Sequence, residues 1–201
     1  MPSPAGHLLA GVAVAWAAEA ARGRRGAGPA DGATPRLFTP LALACAALAL
    51  APDLDILLAT HRTVTHSIGA VALTALVSGA VARAVGSPAA ATGALCGLTV
   101  ASHIVLDWLG RDSNTPRGVM ALWPISTAYF YSGVDLFAEV SRRYWKPDEF
   151  IVGNAYSVAR EILILGPIAA AAFWLRRGRR MSVGAESPTS TSEPEPRVPS
   201  P

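Results

Sequence analysis

Apolar residues fall into five runs along the chain, Leu8 to Ala21, Leu37 to Ala51, Ile68 to Val85, Ala89 to Leu106 and Val158 to Leu175. Polar and charged residues gather between them. A helix needs about 20 predominantly apolar residues to cross a bilayer. The third, fourth and fifth runs approach that length. The first two are shorter, and span only with help from flanking residues or local thinning, or lie re-entrant or buried within the bundle. The pattern predicts an all-α polytopic membrane bundle of about four or five apolar helices. No internal repeat of regular period is evident.

Composition supports the membrane reading. Hydrophobic residues make up 51% of the 201 positions, mean hydropathy is +0.35 and 15% of residues are charged, against roughly 25% charged in an ordinary soluble domain. Much of the apolar content is Ala, so each run has to be judged singly. The Ala, Gly and Arg richness is that of a GC-rich bacterial genome, so the multi-pass chain is expected in a bacterial cell membrane. The opening Met1 to His7 lacks the positive n-region of a signal peptide, so the first apolar run is expected to be retained.

The net charge is a modest +3, but its distribution orients the chain. Arg22 to Arg36 and Arg176 to Arg180 are basic clusters beside apolar runs. The positive-inside rule makes both cytoplasmic, together with Arg83 and the Gly86-Ser87-Pro88 turn, and five crossings then put the N-terminus outside. No element carries the long basic face with interleaved aromatics that a phosphate backbone requires, so nucleic acid is not an expected partner. Residues 1–180 read as one membrane-embedded domain. Residues 181–201 read as a disordered Ser/Pro/Glu tail with too little apolar surface to offset chain entropy.

This topology gathers His7, the Pro52 to His66 loop and the His103 to Asp107 segment at the outer face. Trp108 to Ser157 lies on the same side, carries mixed charges, and reads as a partly helical extramembrane cap. Within it, Trp123, Tyr129, Phe130 and Tyr131 read as interface packing and Trp123-Pro124 as a turn. Cys45 and Cys96 sit inside apolar runs without a metal-ligand spacing, and read as small core residues.

All four histidines, His7, His61, His66 and His103, stand at the edge of an apolar run near an aspartate or another histidine. Ionisable groups at membrane depth are costly, so converging ones point to function. His103 and Asp107 are four residues apart on one helix face, a spacing that suits an imidazole nitrogen and a carboxylate oxygen on one metal, or else a capping hydrogen bond. Asp53 and Asp55 precede His61 and His66 by a short loop. That ligand mixture fits zinc or manganese better than calcium or copper(I). His7 follows Gly6 at the mouth of the first run, where a chance interfacial histidine is the plainer reading. Arg62 holds an anionic substrate oxygen or pairs with an aspartate.

Taken in order, Gly6-His7, Pro52-Asp53-Leu54-Asp55, the His61 to Ser67 motif, His103 with Leu106-Asp107, and Leu122 to Ser126 resemble the YdjM-like family of inner-membrane metal-dependent hydrolases. The motifs cover approximately His7 to Ser126. The resemblance implies a membrane-embedded, all-helical, zinc-dependent hydrolase with His7, Asp53, Asp55, His61, His66, His103 and Asp107 as the matching polar positions. A more distant similarity to zinc phospholipase C and nuclease-like helical folds would make phosphoesters, phospholipid head groups among them, the leading substrate class. The chain departs from the pattern after Asp107, where Trp108 to Gly118 replaces a shorter Thr-containing link. Tyr129 to Gly133 and Arg142-Arg143-Tyr144-Trp145 look particular to a subgroup.

The expected mechanism is hydrolysis by a metal-activated water, with Asp55 or Asp53 as general base and Arg62 or Arg111 neutralising charge on a phosphoryl or acyl oxygen. Membrane lipids and a small-molecule or lipid substrate are the expected partners. Two other readings stand beside it. A transporter or metal-binding carrier would use the same residues to line a permeation route, and Glu19 and Glu161 inside apolar runs speak for it. A noncatalytic scaffold would use the histidines for a structural metal or for buried hydrogen bonds.

Overall fold

The computed structural model describes residues 1–22, 36–58 and 61–185. Most of the first basic loop, at 23–35, and the tail from 186 onward lie outside them. The described residues form five α-helices: α1 (Pro4–Arg22), α2 (Pro40–Leu50), α3 (Ile68–Ala84), α4 (Ala89–Leu109) and α5 (Asn154–Ala185). Helix α2 continues as a 3-10 helix, Ala51–Leu58, and a short 3-10 turn, Val64–His66, precedes α3. Helix α5 reaches Ala185, so the first residues of the sequence-defined tail are helical.

Local chemistry explains the helix starts. Thr39 caps α2, its hydroxyl accepting from Ala42 N at 3.1 Å with Pro40 at the first helical position, where a missing N–H costs nothing. Ser67 caps α3 by accepting from Ala70 N at 3.2 Å. The next two orphan donors of α3 are satisfied by a remote turn. Ile68 N donates to Ala121 O at 2.8 Å and Gly69 N to Trp123 O at 3.0 Å. The Trp123-Pro124 turn expected from the sequence thus fastens the cap to α3.

Three segments are long and apolar enough to cross a membrane, Pro40–Leu57, Ala89–Leu109 and Asp148–Arg177, and Ile68–Ala84 is a shorter apolar helix. The second run gains its length from the 3-10 continuation, which carries Asp53 and Asp55 into the last turns of that segment. The third run stops at 17 residues.

Helices α3 and α4 form an antiparallel hairpin in which Gly93 meets the Ala75 carbonyl so closely that a Cβ there would sit 2.6 Å from it. Gly11 of α1 lies against α2 in the same way, with 2.5 Å from its would-be Cβ to Cys45 O. Small residues at such crossings let helix backbones approach, the usual basis of packing in a membrane. Helix α1 also packs on α4 and α5, and the central cluster is correspondingly small-sided: Ala15, Ala42, Cys45, Ala169 and Ala172 around Trp16 and Leu95.

Polar groups tie α1 down at both ends. At its start, Ser3 N donates to Glu161 Oε1 of α5 at 2.5 Å, and the Ser3 hydroxyl donates to the other carboxylate oxygen. At its finish, buried Arg176 of α5 donates to Glu19 Oε2 at 2.6 Å and to Arg36 O at 2.6 Å. The Arg176 guanidinium also lies 5.4 Å from the Trp16 ring and 5.0 Å from the Phe173 ring. Thr39 Oγ1 completes the set by donating to Glu19 Oε1 at 2.6 Å.

The segment between α4 and α5 is helical only where it leads into α5. Residues 110–147 are irregular, held by isolated bridges between Gly110 and Phe137 and between Val119 and Phe130, and a π-helical turn, Asp148–Gly153, leads into α5. Gly118 and Gly133 take positive φ, and Pro116 and Pro124 lack a backbone donor, so no helix can propagate through this stretch.

Candidate metal centre

Four segments deliver the candidate side chains to one end of the bundle. His7 lies in the first turn of α1, Asp53 and Asp55 on the 3-10 continuation of α2, His66 on the turn before α3, and His103 with Asp107 on the last turns of α4. Between His61 and His66 the chain must reverse, and Arg62 takes a left-handed φ of 69° there. That turn aims the Arg62 N–H at Asp55 Oδ2, 3.1 Å away.

Asp53, His66, His103 and Asp107 present ligand atoms that all lie within 4.8 Å of one another. His66 Nε2 and His103 Nε2 are 3.1 Å apart. Each is 3.2 Å from Asp107 Oδ2, and they lie 3.5 and 3.6 Å from Asp53 Oδ1. Neighbouring ligands of a tetrahedral zinc, each about 2.0–2.1 Å from the ion, are themselves about 3.3 Å apart. The four atoms therefore stand at the mutual spacing that one small cation imposes.

Tautomers sharpen the point. His103 Nδ1 lies 2.7 Å from Ala49 O and must donate to it. His66 Nδ1 faces Asp55 Oδ2 at 3.2 Å and Thr65 Oγ1 at 3.0 Å, so it too carries the proton. Both Nε2 atoms then offer lone pairs to each other and to two carboxylates. A single proton can bridge only one pair of these four acceptors, whereas a divalent cation satisfies them all. Both Asp107 oxygens are buried without a hydrogen bond, a state that costs free energy unless a cation supplies the missing partner. The residues fit a metal.

Asp55, His61 and His66 form a second group with ligand spacing, but its protons are in place. Asp55 accepts from Thr65 Oγ1 at 2.5 Å, from His61 Nδ1 at 2.9 Å and from Arg62 N at 3.1 Å, besides facing His66 Nδ1. It is a saturated carboxylate that orients His66, the outer-shell arrangement that fixes ligand tautomers in metal sites. His61 Nε2 accepts from Arg142 Nη2 at 3.3 Å.

Burial opposes charge on His66, yet Asp107, Asp53 and Asp55 outweigh it and hold its pKa up to about 11. The metal-free pocket thus keeps a proton on this ring. Burial dominates for His61 and pulls its pKa down, against the attraction of Asp55, in keeping with a neutral ring.

Of the remaining candidates, His7 stacks on His103 with ring centroids 3.8 Å apart and puts Nε2 3.4 Å from Asp107 Oδ1, while its Nδ1 is buried without a partner. Arg62 is engaged in an ion pair with Asp112, which also accepts from Gly118 N at 2.7 Å. Arg111 is exposed and joins the fold through its backbone, donating to Phe137 O at 2.9 Å. Glu19 is held by Arg176 and Thr39 and Glu161 by Ser3, and neither belongs to the groups with ligand spacing. Thr65, Asp112 and Arg142 are additions that the structure makes. Only Thr65 had a signal in the sequence, its place inside the His61 to Ser67 motif.

No curated protein matches the chain, and no solved structure does. The model of the YdjM inner membrane protein family matches residues 1–177, from the segment before His7 through the cap to Arg177 of α5. The motifs between His7 and Ser126 therefore sit inside a longer common pattern. The chain belongs to the YdjM inner membrane protein family.

Proposed function

We propose that this protein is a multi-pass inner-membrane hydrolase that binds one zinc ion, with manganese as the alternative, through Asp53, His66, His103 and Asp107. The observation that carries this reading is the convergence of four ligand atoms at ligand spacing, three of them on buried side chains. When bound, such an ion supplies Lewis acidity toward an ester oxygen and a water whose pKa falls to near neutrality.

The chain's own groups then divide the work. Ala49 O and Asp55 fix the two imidazoles by their Nδ1 protons. His7 flanks Asp107 from the other side. Asp53 has the longest contacts, and its side chain is 24% exposed where the other three are sealed. Substrate enters at that edge, and Asp53 is the carboxylate placed to take a proton from an incoming water. Leu54 and Leu57, 63% and 83% exposed on the same 3-10 helix, give the edge an apolar lip suited to a phosphoester carrying a lipid chain. Arg22, Arg36 and Arg176 lie at the opposite end of the bundle from the cluster, and the positive-inside rule supports reading the cluster's end as the outer face. A transport route would need free polar groups at mid-membrane depth, and the partners of Glu19 and Glu161 argue against that use.

Elemental mass spectrometry on detergent-purified protein tests the reading. Stoichiometric metal, with hydrolysis of a chromogenic phosphodiester that is abolished by chelation and restored by zinc, is the expected result. A well-folded protein that takes up no metal even after reconstitution would sink it.

Two further results follow from the centre's geometry. Asp55→Asn should weaken zinc affinity by about 10- to 100-fold, because outer-shell partners of a histidine ligand act on that scale. Competition with a chromophoric chelator reads this directly, and unchanged affinity would make Asp55 irrelevant to the ligand set. Zinc loading near neutral pH should also release about one proton from His66, whose pKa is about 11 before the metal enters, since metal displaces protons from its ligands. Calorimetry in buffers of different ionisation enthalpy measures the number, and a buffer-independent heat would contradict it.

A further inference from the structure

Two arginines reach the metal centre from outside, and they differ in what holds them. Arg62 is neutralised by Asp112. Arg142, exposed in the cap, makes no ion pair among the described residues, and its one side-chain hydrogen bond runs from Nη2 to a neutral acceptor, His61 Nε2, at 3.3 Å. The imidazole of His61 stands directly between the two, with Nδ1 3.9 Å from Asp53 Oδ1, so the guanidinium sits one ring away from the open edge of the centre.

The backbone beside it is anchored. Asn154, the first residue of α5, accepts from Ser141 N at 2.7 Å and donates to Ser141 O at 2.9 Å. Tyr144 N closes a turn on Arg142 O at 3.0 Å. The side chain therefore starts from a fixed point, while its far end is weakly held. A guanidinium resting on a neutral imidazole exchanges readily for a charged, bidentate oxygen pair, which binds it about twice as strongly.

Charge balance calls for such a group. Asp53, Asp107 and Asp55 together outweigh a bound dication, so an anionic substrate approaching Asp53 meets a net negative site. Arg62 does not relieve this, because Asp112 cancels it.

Building on the hydrolase reading, we propose that Arg142 is the anion-receiving residue of the centre, leaving His61 to clamp the non-bridging oxygens of a phosphoryl group held at the Asp53 edge. The shared chemistry is a tetrahedral phosphoester anion, whether it comes on a lipid or on a soluble molecule.

The test uses the full chain in detergent, loaded with zinc, titrated with inorganic phosphate in a calorimeter, with zinc content measured on the same samples. Arg142→Gln should weaken phosphate binding about tenfold or more, the scale of lost charge-assisted hydrogen bonds, with zinc unchanged. Arg142→Lys should fall between, keeping the charge and losing the fork. Arg143→Gln, which removes the same charge from an exposed residue paired with Glu149, should leave phosphate binding as it is. Competition by phosphatidylglycerol micelles alone assigns a lipid source, and equal competition by glycerol phosphate assigns a soluble one. Equal phosphate affinity in wild type and Arg142→Gln, or zinc-loaded wild type that binds no phosphate, overturns the proposal. Wild type that binds no zinc overturns the hydrolase reading instead.

Discussion

Asp107→Asn is expected to empty the metal centre while leaving the helices intact. Asp107 Oδ2 lies 3.2 Å from the Nε2 atoms of both His66 and His103, and Oδ1 lies 3.4 Å from His7 Nε2. One carboxylate thus stands against three imidazoles in a volume closed to water. An amide keeps the shape and removes the charge, and it also turns an N–H toward atoms that need lone-pair acceptance by a cation. Removing one partner from a buried charged cluster costs about 3–5 kcal/mol, which corresponds to a loss of affinity of about 150- to 5,000-fold. Metal content after dialysis should fall close to zero, and phosphodiester hydrolysis with it, at unchanged far-ultraviolet circular dichroism. Full metal content in this variant would mean that the ion binds elsewhere.

The second large effect belongs to the other end of the bundle. Arg176→Gln should lower stability by about 3–5 kcal/mol, the cost of leaving a buried ion pair half empty. Arg176 joins α5 to Glu19 of α1 and to the Arg36 carbonyl ahead of α2, and its guanidinium lies against Trp16 and Phe173. Thermal unfolding in detergent reads the loss. Adding Glu19→Gln to the same chain should restore part of it, because the stranded carboxylate is then gone. An unchanged melting temperature in the single variant would show that the pair contributes nothing.

The parts of this protein that are set locally could be read from the sequence. His103 and Asp107 share a face because the helical period puts them there, and the five apolar runs mark the five helices. The role of the two aspartates could not be read. Residues two apart point to different sides of any helix, whether α or 3-10, so Asp53 and Asp55 cannot both face one centre from the helix Ala51–Leu58. Which of them faces His66 and His103 and which accepts from Thr65, His61 and Arg62 N depends on how that helix is turned against its neighbours. Hydropathy does not announce that orientation.

The arginines and glutamates were opaque for another reason. Asp112 is 50 positions from Arg62, Arg176 is 157 from Glu19, and Glu161 is 158 from Ser3. A charge inside an apolar run signals only that a partner is required. Which partner it has depends on how the helices stack, so the sequence could not show that Glu19 meets Arg176 and Thr39 and that Glu161 meets Ser3. The irregular cap was more accessible, since Pro116, Gly118, Pro124 and Gly133 are visible breakers.

The ligand set ends at Asp107, whereas α5 begins only at Asn154. Every side chain of the proposed ligand set is therefore made before the helix that braces α1 at both its ends. During synthesis the proposed ligand set is chemically complete while the bundle around it is still unfastened, and the arrival of α5 brings Glu161 to Ser3, Arg176 to Glu19 and Asn154 to the irregular segment that carries Arg142. A nascent chain stalled before α5 would already hold the means of capturing metal, and would lack the brace that keeps it.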